Sequence, residues 1–231
     1  MRQITLTVIT VLCAVTLSAT DNQDEKGKNA EQLFQRMEAK LHAAKTVSLS
    51  FDSTVVSESL PIKGSKLKGT VGIADGNKAR LEMSGGKTGS APIKGLLISD
   101  GTQMVQNDGK LRPAPKVTAS NLMTVVARSG FFITIMPLPP EPFTNPDFDL
   151  KEGFSVSGFK LGNKEKIGER ETQRVDYVLS VKGNEGQFPA AVWIDLKTGL
   201  PVKRELTGMY TENYELTLDG KLDPRLFELP K

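Results

Sequence analysis

Catalysis needs reactive groups in pairs, and these 231 residues offer few. His42 is the only histidine and Cys13 the only cysteine, so neither a Ser-His-Asp constellation nor a zinc site can be assembled from the usual parts. His42 reads as a surface residue on the polar side of a helix. Gly85-Gly86-Lys87-Thr88 ends like a phosphate loop, but the first glycine of such a loop would fall at Leu81, so the stretch reads as a turn. Glu169 and Glu171 share a strand face, as glycosidase carboxylates do, yet Lys164, Lys166 and Arg170 surround them and make a hydrated charged edge. Trp193 reads as a core or sheet-face anchor rather than a ligand-stacking ring. The sequence therefore assigns no catalytic residue, no metal ligand and no cofactor, and the expected class is not an enzyme.

The apolar residues are more informative. Phe131 to Phe143 is intensely apolar yet carries four prolines, which rules out a long helix or an inner strand. It is the strongest binding candidate, because exposed apolar surface on a soluble protein marks interaction sites. A buried crossover loop is the other reading, and both stay open.

The elements that position these residues follow from periodicity. Leu33, Met37, Leu41 and Ala44 form one stripe of a helix expected from Asn29 to about Lys45. From Thr46 the period becomes two: Val47, Leu49, Phe51 and Val55 alternate with polar residues. Asp75-Gly76, Asp100-Gly101 and Asp108-Gly109 are hairpin turns, so the first half is a meander. A second helix is expected from Thr118 to Ser129, capped by Thr118 or Ser120 and stopped by Gly130. The meander resumes at Phe154 and runs to Leu218, for about ten strands in all. So wide a sheet avoids long exposed edges by curling around its helices.

Arg2, the uncharged run Ile4 to Leu17 and the small residues Ser18-Ala19-Thr20 are the three parts of a secretory signal. Residues 1–19 are expected to be removed, 20–28 to form a flexible start, and 29–231 to form one domain. The apolar run is too short and too rich in threonine for a membrane anchor. The mature chain is thus expected to be soluble, and in a bacterium periplasmic. Val11-Leu12 before Cys13 are larger than the residues that precede a lipidated cysteine, so lipidation is the lesser reading. Without Cys13 no disulfide or thiolate site remains. The net charge of +3 is dispersed, which argues against a nucleic-acid partner.

Several strings, in order, resemble the LolA/LolB-like lipoprotein-carrier superfamily. They are Val71-Gly72-Ile73, Leu97 to Gly101, the helix Asn121 to Arg128, the hairpin Val192 to Leu206 and the closing Leu222 to Leu229. The resemblance implies an α+β fold in which a strongly curved antiparallel sheet, an incomplete barrel, wraps lid helices. It also implies acyl chains of lipids or lipoproteins as ligands, a membrane-bound donor or acceptor protein as a further partner, and a monomer. The alternative role is an envelope sensor of the same fold. The residues expected to line the cavity or lid are Leu49, Phe51, Val71, Ile73, Leu81, Met83, Met104, Leu122, Met123, Val126, Phe131, Phe132, Ile135 and Met136. Methionines among them would adapt to flexible ligands. In the family an arginine early in the sheet helps to hold the lid shut; its nearest substitute here is Arg80, which an alternating strand would turn to solvent.

Overall fold

The computed structural model describes residues 17–58, 62–131, 149–182 and 186–230, with the side chains of residues 17–25 left undescribed. Helix α1 spans Leu17–Ala43. Six strands follow: β1 Thr46–Val55, β2 Lys66–Ala74, β3 Lys78–Gly86, β4 Ile93–Asp100, β5 Gln103–Gln106 and β6 Leu111–Pro113. Helix α2, Thr118–Thr124, continues as a π-helical turn over Val125–Ser129. After the short helix α3, Leu150–Gly153, come β7 Phe154–Ile167, β8 Arg170–Val181, β9 Gln187–Asp195, β10 Pro201–Leu206 and β11 Tyr210–Leu218. A 3₁₀ turn, Pro224–Phe227, closes the described chain.

The eleven strands form one antiparallel sheet in the order β6-β5-β4-β3-β2-β1-β11-β10-β9-β8-β7. Two meanders are thus joined where β1 pairs with β11, from Val47 opposite Leu218 to Val55 opposite Tyr210. Among the described residues the sheet does not close, since β6 and β7 remain as its edges. Ten strand spacings of about 4.8 Å would make a flat sheet nearly 50 Å wide. Yet Leu81 and Met104 from one flank and Val175 and Leu179 from the other belong to a single buried cluster with α1 and α2. That is possible only if the sheet bends around the helices, as expected.

Helix α1 takes in every described residue up to Ala43, so residues 20–28, expected as a flexible start, are helical in this structure. They contain no proline and only Gly27, and Asp24 and Lys28 are spaced for an i,i+4 charge pair. The buried stripe is Ala30, Phe34, Met37 and Leu41; Leu33 and Ala44 lie at its margins. Phe34 packs against Phe159 of β7 and Tyr177 of β8, ring centroids 5.1 and 5.0 Å away.

The expected side-chain cap of α2 is also different. Thr118 donates to the Pro115 carbonyl at 2.7 Å, and no side chain of the helix's own start caps it. The free N–H of Ala119 instead donates to Asn77 Oδ1 at 3.0 Å, while Asn77 Nδ2 donates to the Pro115 carbonyl at 2.8 Å. Asn77 stands in the β2–β3 turn at φ 62, a left-handed conformation that asparagine tolerates well.

Candidate functional site

The eleven described residues expected to line the interior, from Leu49 on β1 to Phe131 after the π turn, are each at most 5% exposed and share one cluster. Phe132, Ile135 and Met136 lie outside the described residues. The concave apolar face is covered by the protein's own helices and by Phe131. Phe131 is fully buried and stacks on Phe51 with ring centroids 4.5 Å apart and an interplanar angle of 16°. Clefts lined by described residues open on the outer face instead, one of about 590 Å³ between Arg80, Glu82 and the closing turn at Leu226.

A buried polar cluster interrupts this apolar interior under the end of α2. Arg204 on β10 is fully buried. Its Nη2 donates to the carbonyls of Val126 and Ala127 at 2.8 Å, and Nη1 donates to the carbonyl of Arg128 at 3.1 Å. Nη1 also contacts the Tyr177 hydroxyl, and that hydroxyl donates to the Arg128 carbonyl at 2.6 Å. The last carbonyls of a helix have no partner within it, so Arg204 supplies from the sheet what the chain cannot supply locally. Its Nε has no partner among the described residues.

Glu212 on β11 stands opposite Arg204 in register and is equally buried. Its Oε2 accepts from the Phe131 N–H at 2.9 Å and from the Tyr214 hydroxyl at 2.6 Å. Tyr210 donates its hydroxyl to the Ser129 carbonyl. The chain's three tyrosines are therefore all in this cluster. Burial, then the nearby Glu212 carboxylate, pushes the Tyr210 and Tyr214 pKa values well above ordinary; burial raises that of Tyr177. The hydroxyls stay protonated. Burial opposes the charge on Arg204, but the tyrosine oxygens, Tyr177 foremost, more than offset it and its pKa rises. Gly130 ends the π turn at φ 80 and ψ 170. A Cβ there would lie 2.5 Å from Glu212 Oε2, so only glycine lets the chain pass this carboxylate.

Arg128 ties the same helix end to the other elements. It pairs with Glu38 of α1 at 2.6 Å and donates to the carbonyls of Lys151 and Phe154 at 2.9 and 2.7 Å. His42, expected at the surface, is half-buried one turn from Glu38 with Nε2 unpartnered. Burial, then the charge of Lys151, lowers its pKa. Arg80 lies on the outer face, pairing with Glu82 at 2.8 Å and donating to the Leu226 carbonyl at 3.3 Å. Neither of these partners is on α2 or its π turn, whereas Arg204 binds the π turn. The missed signal was Tyr210, Glu212, Tyr214, Leu216 and Leu218 alternating along β11, which puts a charge in phase with apolar positions.

Trp193 is buried on the outer face with Lys203 4.2 Å and Arg174 4.9 Å from its ring, an anchor as expected. Glu169 and Glu171 are exposed, and Glu169 pairs with Lys166 at 3.1 Å. Among the described residues no group of three His, Cys, Asp or Glu side chains is placed to hold a metal ion.

No protein-family model matches the chain, and no curated protein does. Its likeness is to solved structures. LprF from Mycobacterium bovis superposes with a TM-score of 0.51 at 14% identity, covering 88% of this chain and 97% of that one. Mycobacterium tuberculosis lipoprotein LppX gives 0.43 at 13% identity, covering 84% and 98%. A domain from Vibrio parahaemolyticus described as an outer membrane lipoprotein-sorting protein gives 0.32 at 10% identity, covering 87% and 97%. The fold is thus shared with LprF: one open antiparallel sheet curved around a few helices.

Proposed function

We propose that the protein is a non-enzymatic carrier of lipid or lipoprotein acyl chains, which it holds between the sheet and its helices. Helix α2, its π turn and Phe131 form the lid. Arg204 carries this reading, because it holds the lid's end from the sheet by hydrogen bonds rather than by covalent continuity. Each bond to a charged donor is worth about 1.5–3 kcal/mol. An acyl chain returns about 0.8 kcal/mol per buried methylene, so a chain of roughly ten methylenes is enough to offset the loss of the latch. Opening is thereby coupled to loading.

The carrier works in the periplasm as a monomer after residues 1–19 are removed, and exchanges its cargo with a membrane-bound donor or acceptor protein. The signal-like start supports export, and no helix among the described residues is long and apolar enough to cross a membrane. Native mass spectrometry of protein isolated from its own envelope, with titration of a fluorescent fatty acid, tests the proposal. Co-purified lipid and saturable binding that weakens in Phe131→Ser are expected. Absence of both in the wild-type protein overturns it.

A further inference from the structure

The inner face of the half-shell is a lattice whose rows run across the strands. Leu49, Val71, Leu81 and Leu97 stand in register on β1 to β4 and form one row. Two residues further along β1, the next row reads Phe51, Gly69, Met83 and Gly95. Every second side chain in it is missing. A Cβ on Gly69 would lie 2.5 Å from the Phe51 ring and 2.6 Å from the Glu82 carbonyl oxygen, and one on Gly95 would lie 2.5 Å from the Met83 methyl. Phe51 and Met83 therefore lie flat across bare backbone, and Phe131 stacks on Phe51 above them.

Removing those flat side chains leaves a trench between two ridges. The leucine and valine row stands on one side; the row on the other reads Ser53, Leu67, Gly85 and Ile93, with bulky apolar side chains on β2 and β4. Ridges lie about 6.8 Å from its axis, and it runs about 14 Å across four strands. Glycine inside a strand weakens it and marks close approach by a ligand or another backbone; here the approaching groups are the Phe51 and Met83 side chains. The trench is hydrocarbon, thioether and glycine along its length. Polar groups stand at its β1 and β11 end, where buried Ser53 follows Phe51 along β1 and Tyr214 faces Phe51 and binds Glu212.

Building on the carrier reading above, we infer that this row is the seat of a single saturated acyl chain, with Met83 over Gly95 as the stop that sets how long a chain fits. Phe131 must leave Phe51 before the chain can lie down. Methionine suits the stop, since its unbranched thioether repacks readily.

Displacement of a fluorescent polyene fatty acid by saturated acids from octanoate to stearate reads the trench directly. Wild-type affinity should rise about fourfold per methylene up to a limiting length. Met83→Ala should move that limit to longer acids and Gly95→Leu to shorter ones, while Glu82→Gln, on the outer face of the same strand, leaves it in place. If Gly95→Leu does not fold, Met83→Ala alone decides. A limit unchanged in Met83→Ala overturns the inference; failure of the wild-type protein to bind any acid overturns the carrier reading instead.

Discussion

Arg204 shows how one side chain can hold a mobile element without a covalent tie. Its guanidinium spreads donors over three successive carbonyls of the π turn, a planar fork that lysine cannot imitate. Arg204→Met takes the arginine donors from the Val126 and Ala127 carbonyls, leaves the Arg128 carbonyl with Tyr177 alone, and leaves Glu212 buried opposite a neutral residue. It should cost about 3 kcal/mol in urea unfolding and raise binding of an apolar dye to the native protein. Arg204→Lys keeps the charge but loses the fork, and should fall between the two. Equal stability of all three proteins would remove Arg204 from the latch. The residue was legible as an arginine in a strand and no more. A charge in an alternating segment normally faces water, and the partners that permit burial lie 76 to 78 positions away in sequence.

At the scale of elements, α2 is clamped at both ends by groups from the sheet. Asn77 of the β2–β3 turn takes its start, and β8, β10 and β11 take its finish. The helix existed as an expectation from Thr118 to Ser129, and Gly130 as its stop. The change to a π turn at Val125 was not legible, because it answers to carbonyl partners outside the segment. Asn77→Ala loses two hydrogen bonds and strains a left-handed position, for about 2 kcal/mol in all. Asn77→Gly loses the bonds without the strain and should cost less. Both should speed hydrogen exchange at the α2 amides while leaving β8 and β9 protected; uniform acceleration across the protein would show that Asn77 holds no lid.

The whole molecule is an open sheet that must guard its edges. The β6 edge is three residues long. The β7 edge is fourteen, with register shifts between Ser157 and Lys160 and between Leu161 and Lys164, and exposed Lys160, Lys164 and Lys166 along it. Bulges and lysines are the usual protection against pairing with a second copy. Replacing the three lysines with valine should therefore produce self-association visible by light scattering, and a monodisperse variant would mean that α1, packed on β7, already suffices as cover. The sequence by itself determined the strands, their turns and the inward apolar set, because side-chain alternation and turn chemistry are local properties. Tertiary structure alone decided that the Phe51, Gly69, Met83 and Gly95 row comes into register, and that Arg204 and Glu212 face inward. Each of these depends on groups brought together from distant parts of the chain, and no local rule encodes such meetings.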